Sequence, residues 1–185
     1  MSKEGGRMKV NLQDFRYIDI YVNEEKDIVI FPHSEAKESL ELADGSILDE
    51  PWFCTAYYPI ELKYPYTKEE LAEKIRYGIE QWDKHEPYND FSGKNTFEEK
   101  YYGIKGFKKA IKGKRNIQLG WDDIQGKHAS LMIPCKRGYC YLGVDEIILG
   151  EDADWIDYAN VVIKFIETDI EDIPYAKQNK GKLNL

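Results

Sequence analysis

The chain has 185 residues, 42% of them apolar, and a formal net charge of −8. This length and apolar content support one domain with a core that needs no disulfide or metal, and they exclude a largely disordered chain. The acidic balance argues against a general nucleic-acid-binding protein.

The N-terminal third favours short strands. RYIDIYV (16–22) alternates polar and apolar residues, NEEK follows as a turn, and DIVIFP resumes as a second strand, so we expect a hairpin. Asp44-Gly45 indicates a tight turn between two short strands. WFCTAYYPIEL (52–62) predicts one or two strands interrupted near Pro59.

Two helices are predicted next. Thr67 is the expected N-cap of the first, and Glu70 completes a capping box. Its apolar stripe comprises Leu71, Ile75, Ile79 and Trp82. TFEEKYYGIKGFKKAIKG (96–113) predicts a second helix, weakened by Gly103 and Gly106 and ending at Gly113. The expected stripe of that helix comprises Phe97, Tyr101, Ile104 and Ile111.

The C-terminal half contains three strand patterns, RNIQLGW (115–121), HASLMIP (128–134) and GYCYLGVDEIIL (138–149). A last helix is expected to start near Asp154 and to turn Ala159, Val162, Ile163 and Ile166 inward. We therefore predict a single α+β domain over residues 1–185, with a mixed or mostly antiparallel sheet and about three covering helices.

Residues 58–82 and 145–167 read alike. Placing Ile60 on Ile147 aligns the two stretches without a gap, so that Thr67 meets Asp154 as the predicted N-cap. This pattern predicts two strand–helix units packed on one core, although any two strand–helix units share some likeness by chance.

Charge is distributed unevenly. From Lys94 to Arg115 there are eight basic residues and two acidic ones, whereas from Asp145 to Asp172 there are ten acidic residues and one lysine. The two regions are either solvated faces that partly neutralise each other, or they include an acidic face that attracts a basic partner.

Motifs for chemistry are scarce. No glycine-rich phosphate loop is present, and His33, His85 and His128 are separated along the chain, so we expect them in loops or at the surface. Cys54, Cys135 and Cys140 show no disulfide or zinc spacing and are expected to be free buried thiols. We expect no metal and no cofactor. No membrane helix and no signal peptide are apparent, which favours the cytoplasm.

GWDDIQGKHAS (120–130) is the best candidate for catalysis. Asp122, Asp123, Lys127 and His128 lie within seven residues, and carboxylates beside a histidine suit metal binding or acid–base chemistry. A hairpin turn accounts for the same residues, and we favour it.

The order of these patterns resembles the immunity proteins of contact-dependent growth inhibition systems, of the CdiI type. The resemblance rests on TKEELAEKIRYGIEQW, FEEKYYGIKGFKKAIKG, IQLGWDDIQGKHASLMIPC, GYCYLGVDEIIL and DWIDYANVVIKFIE, and it covers residues 52–167 but not 1–51. It implies a cytoplasmic bacterial protein, not an enzyme, that binds the C-terminal toxin domain of such a system, often a nuclease, and blocks its active site.

For such a protein we expect an acidic surface to contact a basic toxin. The candidate residues lie where a strand leads into a helix: Asp145, Glu146, Glu151, Asp152, Asp154 and Asp157. For any single one of them, a solvated helix start stabilised by the helix dipole is the favoured explanation. The alternatives are a small hydrolase using Asp122, Asp123 and His128, or a regulatory domain that binds a small ligand or peptide in a tyrosine-lined groove.

Overall fold

The strands form one main sheet. The computed structural model describes residues 16–35, 40–41, 47–48, 53–88, 96–122, 126–136 and 141–183. Within these residues the strands are β1 (Arg16–Val22), β2 (Ile28–Glu35), β3 (Leu40–Glu41), β4 (Ile47–Leu48), β5 (Phe53–Thr55), β6 (Ile60–Leu62), β7 (Arg115–Asp122), β8 (Gly126–Pro134) and β9 (Tyr141–Gly150). Seven of them pair antiparallel in the order β5-β2-β1-β7-β8-β9, with β6 also pairing with β2.

The helices are α1 (Lys68–Glu80), α2 (Phe97–Tyr102), α3 (Phe107–Ala110), α4 (Trp155–Glu167) and α5 (Pro174–Gln178), with a 3-10 turn at Ile170–Asp172. The prediction of a single α+β domain with a mostly antiparallel sheet is confirmed in its fold class. None of the described helices is long and apolar enough to cross a membrane.

Alternation along the strands divides the sheet into two faces. Ile18, Ile20 and Ile30 are completely buried on the first face, under α1 and α4. Tyr21 and Phe31 point to the second face, where α2 packs through Phe97. Helices therefore pack on both faces of the sheet, but α2 and α3 are too short to cover the whole of the second face.

The two aligned units form as predicted at their helix starts. Thr67 and Asp154 both cap their helices, and each makes a complete capping box with the residue three positions on, Glu70 and Asp157. Helices α1 and α4 pack against each other on the first face. Their strands do not neighbour each other: β6 pairs with β2 and β9 pairs with β8, at opposite sides of the sheet.

The single helix predicted over residues 96–113 is wrong. It starts as expected at Thr96, but α2 ends at Gly103, whose φ of 64° is left-handed, and Gly106 has a φ of 100° before α3 begins. The break takes Ile104 off the expected stripe and leaves it 39% exposed. Two glycines with positive φ therefore overrode an amphipathic pattern.

Other local predictions are confirmed. The β1–β2 hairpin forms, with Lys26 at a φ of 66° in its turn. Strands β3 and β4 pair antiparallel, although the Asp44-Gly45 turn between them lies outside the described residues. The stretch 52–62 gives two strands, β5 and β6. In α4, Ala159 and Val162 are buried as expected.

Candidate functional site

The second face of the sheet carries two rows of side chains beyond the reach of α2 and α3. Cross-strand register places Tyr17, Gly120, His128 and Ile148 side by side in the first row. The second row contains Asp19, Gln118, Ser130 and Glu146. Apart from Gly120, these residues are half-buried or exposed, so we call the eight of them the sheet platform. Antiparallel pairing has gathered them from four strands.

Beside the platform lies a hydrogen-bonded pair that the sequence interpretation missed. His33 Nε2 lies 2.6 Å from Asp19 Oδ2, and Asn116 Nδ2 approaches the other carboxylate oxygen at 3.4 Å. The Tyr17 ring packs on the His33 ring with 4.0 Å between centroids. His33 is 5% exposed, so the expectation of a loop or surface histidine is wrong: it lies within β2.

The contacts of the Asp19–His33 pair hold the side chains around it in fixed positions. The second ring nitrogen, His33 Nδ1, is buried and has no hydrogen-bond partner among the described residues. Burial raises the pKa of the neighbouring Tyr17 phenol well above its ordinary value, and the Asp19 charge adds to this effect. A histidine so enclosed fixes the position of Tyr17 and Asp19 at the edge of the platform.

A second buried carboxylate lies deeper on the same face, beneath α2. Glu98 is 8% exposed and accepts hydrogen bonds from the hydroxyls of Tyr21 (2.9 Å) and Tyr141 (3.0 Å). Burial raises the pKa of both phenols far above the usual range, so both remain proton donors. This arrangement ties α2 to β1 and β9.

The predicted acidic residues lie along an outer strand of the sheet and on the turn and helix start that follow it. Asp145 and Glu146 lie in β9, Glu151 and Asp152 in the turn after it, and Asp154 and Asp157 at the start of α4. We call these six residues the acidic corner. Glu146 belongs to both the corner and the platform, which makes them one continuous surface.

Two residues of the acidic corner stabilise the start of α4. Asp154 Oδ1 accepts a hydrogen bond from the Asp157 backbone nitrogen (3.0 Å), and Asp157 Oδ2 accepts one from the Asp154 nitrogen (2.9 Å). Their carboxylates therefore hold the first turn of α4, as the alternative explanation for these charges anticipated.

Three other corner carboxylates are uncommitted. Among the described residues, Glu146, Glu151 and Asp152 make no side-chain hydrogen bond or ion pair, and all three are exposed. Lys127 holds the turn that carries two of them, because its Nζ donates to the backbone oxygens of Glu151 (2.9 Å) and Ala153. The lysine neutralises little of their charge but fixes where they lie.

The hydrolase alternative rested on Asp122, Asp123 and His128. Asp122 pairs with Gly126 at the end of the β7–β8 hairpin, as the turn interpretation predicted, while Asp123 lies outside the described residues. The His128 ring lies across Gly120, where a Cβ atom would overlap it, and its Nδ1 lies 3.2 Å from the Gly126 oxygen. His128 thus belongs to the platform surface.

Strand β9 is an outer strand with an apolar centre. It pairs with β8 alone among the described strands, and Ile148 on it is 59% exposed, more than any other large apolar side chain described. An exposed apolar residue with carboxylates on either side matches the anatomy of a protein interface, in which a small apolar centre has a charged rim.

The remaining candidates contribute little chemistry. Cys54 and Cys135 are half-buried, and burial raises the pKa of the Cys54 thiol to about 11, which does not favour an activated nucleophile. Cys140 lies outside the described residues. No group of three or more potential metal ligands occurs in the part of the chain that the structure describes.

Alternation was the one signal that would have located the platform from sequence. Tyr17 and Asp19 alternate with buried residues in β1, as do His128 and Ser130 in β8. That pattern shows that they share a face, but not that the two strands lie either side of β7.

Comparison with known proteins bears on the fold. No protein-family model and no curated protein sequence matches this chain. A protein of unknown function from Neisseria meningitidis is similar with a TM-score of 0.52 and 11% identity, over 86% of this chain and 98% of that one. One chain of the CdiA-CT/CdiI toxin and immunity complex from Yersinia pseudotuberculosis is similar with a TM-score of 0.52 and 11% identity, over 82% of this chain and 95% of that one. At this identity the likeness establishes a shared fold, and it extends beyond the predicted residues 52–167.

Proposed function

We propose that this protein is an immunity protein that binds and neutralises a toxin domain, using the acidic corner and the sheet platform as its binding surface. The observation that carries the proposal is the set of exposed carboxylates, Glu146, Glu151 and Asp152, which lie on and after β9 and have no side-chain partner among the described residues. The fold shared with a chain of a toxin and immunity complex supports it.

Charge explains how such a surface selects its partner. A basic toxin domain, such as one that grips nucleic acid, is attracted by a cluster of like-signed carboxylates, which speeds the encounter and disfavours acidic proteins. Because the corner charges are exposed, the attraction weakens as salt shortens the screening length from about 30 Å at 0.01 M to about 8 Å at 0.15 M.

Apolar and aromatic contacts would then hold the complex together. Ile148 stands exposed between corner residues, and Tyr17 stands at the other side of the platform, its ring packed against His33 and Trp82. Rigid apolar side chains surrounded by polar ones are the usual source of binding energy in interfaces. Binding of this kind requires no chemistry at the surface, and we propose that the protein acts without catalysis in the cytoplasm.

The proposal is tested by co-expressing the protein with candidate contact-dependent growth inhibition toxin domains and by measuring growth and association rates. Glu151→Lys with Asp152→Lys should slow association at low salt and weaken protection. A matched pair, Glu73→Lys with Glu167→Lys, makes the same charge change on exposed helical sites and should leave both unchanged. Equal effects of the two pairs, or no rescue by the wild-type protein, would contradict the proposal.

A further variant separates binding from hydrolysis. His128→Gln removes the ring that a hydrolase would use for proton transfer but keeps a polar side chain on the platform. If the protein acts by binding, toxin protection persists in this variant with a modest change in affinity. Abolished protection with undiminished binding would favour the hydrolase.

A further inference from the structure

A groove on the second face is bounded by the β1–β2 turn and the segment that leads from α3 into β7. Its volume is about 660 Å³, within the range of small-ligand sites. Tyr21, Tyr101 and Tyr102 form its aromatic floor. The platform and acidic corner do not contribute to it, and the inference below does not rest on the proposed function.

Opposite charges line the two sides of this groove. Lys109, Lys112 and Lys114 lie on the α3–β7 side, and Glu24 and Glu25 lie on the β1–β2 side. No ion pair within 4 Å joins these two sides among the described residues. The opposite charges of the groove therefore face each other without closing into an ion pair among the described residues.

The other charged residues of the groove are already satisfied. Lys63 Nζ lies 2.9 Å from Asp27 Oδ2, and Glu61 accepts a hydrogen bond of 2.7 Å from the Tyr101 hydroxyl. Among the described residues, Lys109 and Lys112 make no such contact. Lys109 and Lys112 are therefore the groove lysines that a ligand can contact without displacing a hydrogen bond or a close ion pair described in the structure.

The protein backbone holds the two sides in place. Gly113 has a φ of 70°, and a Cβ atom on it would lie 2.6 Å from Glu24 Oε1, so glycine permits the close approach of that side chain. Across from it, Lys114 Nζ lies 4.1 Å from the centre of the Tyr102 ring. Burial lowers the pKa of Lys114, and the charges of Glu24 and Glu25 oppose that shift.

The geometry points to a binding site for a small zwitterionic ligand of the amino-acid or short-peptide class. Its carboxylate would meet the ammonium groups of Lys109 and Lys112, and its amino group would meet Glu24 and Glu25. An aromatic or apolar body would lie on the tyrosine floor, where the Tyr102 hydroxyl makes no hydrogen bond within the described residues. A purely anionic ligand, such as a nucleotide, would be repelled by the glutamate side.

The test uses three peptides on the full ¹⁵N-labelled chain: Gly-Tyr with both ends free, N-acetyl-Gly-Tyr, and Gly-Tyr amide. NMR titration should show saturable shifts at residues 23–27 and 112–114, with the free dipeptide binding tightest. Each blocked end should weaken binding by about threefold to fivefold, the effect of one exposed ion pair.

Protein variants provide the complementary arm. Lys109→Gln with Lys112→Gln should weaken the free dipeptide and the N-acetyl form but remove the disadvantage of the amide. The control Lys177→Gln, an exposed lysine on α5, should change nothing. Absence of saturable shifts in the groove at millimolar peptide, or equal affinity for all three peptides in the wild-type protein, would overturn the inference. The second result needs no variant, so a folding defect cannot obscure it.

Discussion

Asp154 combines two roles that one pair of substitutions can separate. Its Oδ1 caps α4 by accepting from the Asp157 backbone nitrogen at 3.0 Å, and its charge belongs to the acidic corner. Asparagine caps a helix about as well as aspartate but is neutral, whereas alanine neither caps nor carries charge. Asp154→Asn and Asp154→Ala therefore remove the same charge but only the second removes the cap.

We expect Asp154→Ala to lower the free energy of unfolding by about 1 kcal/mol, the usual cost of losing an N-cap. For a domain of this size that corresponds to a fall in Tm of about 2–4 °C. Asp154→Asn keeps the hydrogen bond and loses only the charge–dipole contribution, a few tenths of a kcal/mol. Urea unfolding followed by circular dichroism measures both values.

Association with the toxin domain gives the second readout. If the corner works through charge, both variants slow association at low salt to the same extent and converge with the wild type as salt is added. Equal destabilisation by the two variants would refute the capping argument. An unchanged association rate for Asp154→Asn, with a slower rate for Asp154→Ala, would show that helix order rather than charge serves binding.

Three further predictions concern the scaffold. Gly78→Ala should lower the free energy of unfolding, measured in urea, by about 1–3 kcal/mol, because the new Cβ would lie 2.9 Å from Ile30 Cγ2 in the core. An unchanged free energy would contradict this and would mean that α1 shifts to make room. Arg115→Met should lower the free energy of unfolding by about 1–3 kcal/mol and increase amide exchange at the end of α4. The reason is that the guanidinium donates to the Phe165 and Thr168 carbonyls at 2.6 and 2.5 Å. Unchanged amide exchange would contradict this prediction. The free energy of unfolding should fall as pH rises above 10, because burial raises the pKa of Tyr66 from its ordinary value of 10.0 to about 12. Between pH 10 and pH 12 the unfolded chain loses a proton that the folded chain keeps. Tm is measured against pH together with tyrosinate absorbance, and a flat profile would contradict the prediction.

Helix boundaries set by local contacts were predictable from sequence. The capping boxes at Thr67 and Asp154 involve residues three positions apart, so their partners are visible in the sequence. The break after α2 was not predicted, because the apolar spacing of residues 96–113 favours one helix and the positive φ angles at Gly103 and Gly106 oppose it. Where apolar spacing favoured a helix and glycine conformation opposed it, the glycine conformation determined where the helix ends.

The candidate surface was predictable only in part. The six corner residues are close in sequence, and they lie along β9, the turn after it and the start of α4; their role as a binding surface stays a prediction. The platform required knowledge of strand order: Tyr17 and Ile148 share a row because β7 and β8 lie between their strands. Likewise, His33 meets Asp19 only once the β1–β2 hairpin has its register. Such contacts depend on pairing, which a single sequence does not specify.

The basic and acidic regions of the chain left two possibilities, mutual neutralisation or an acidic face kept for a partner. Strand β7 runs from Arg115, near the groove lysines, to Asp122, near the turn that leads to the acidic corner. At about 3.4 Å per residue the two ends are roughly 24 Å apart, about three times the screening length at 0.15 M salt. The basic and acidic regions touch at Arg115, because its guanidinium donates a hydrogen bond to the Thr168 carbonyl at the end of α4. The turn carboxylates Glu151 and Asp152 should therefore act independently of the groove, and charge changes in the two places should add within about 0.5 kcal/mol. Asp145 and Glu146 lie in the rows of Ile117 and Gln118 and are nearer to Arg115.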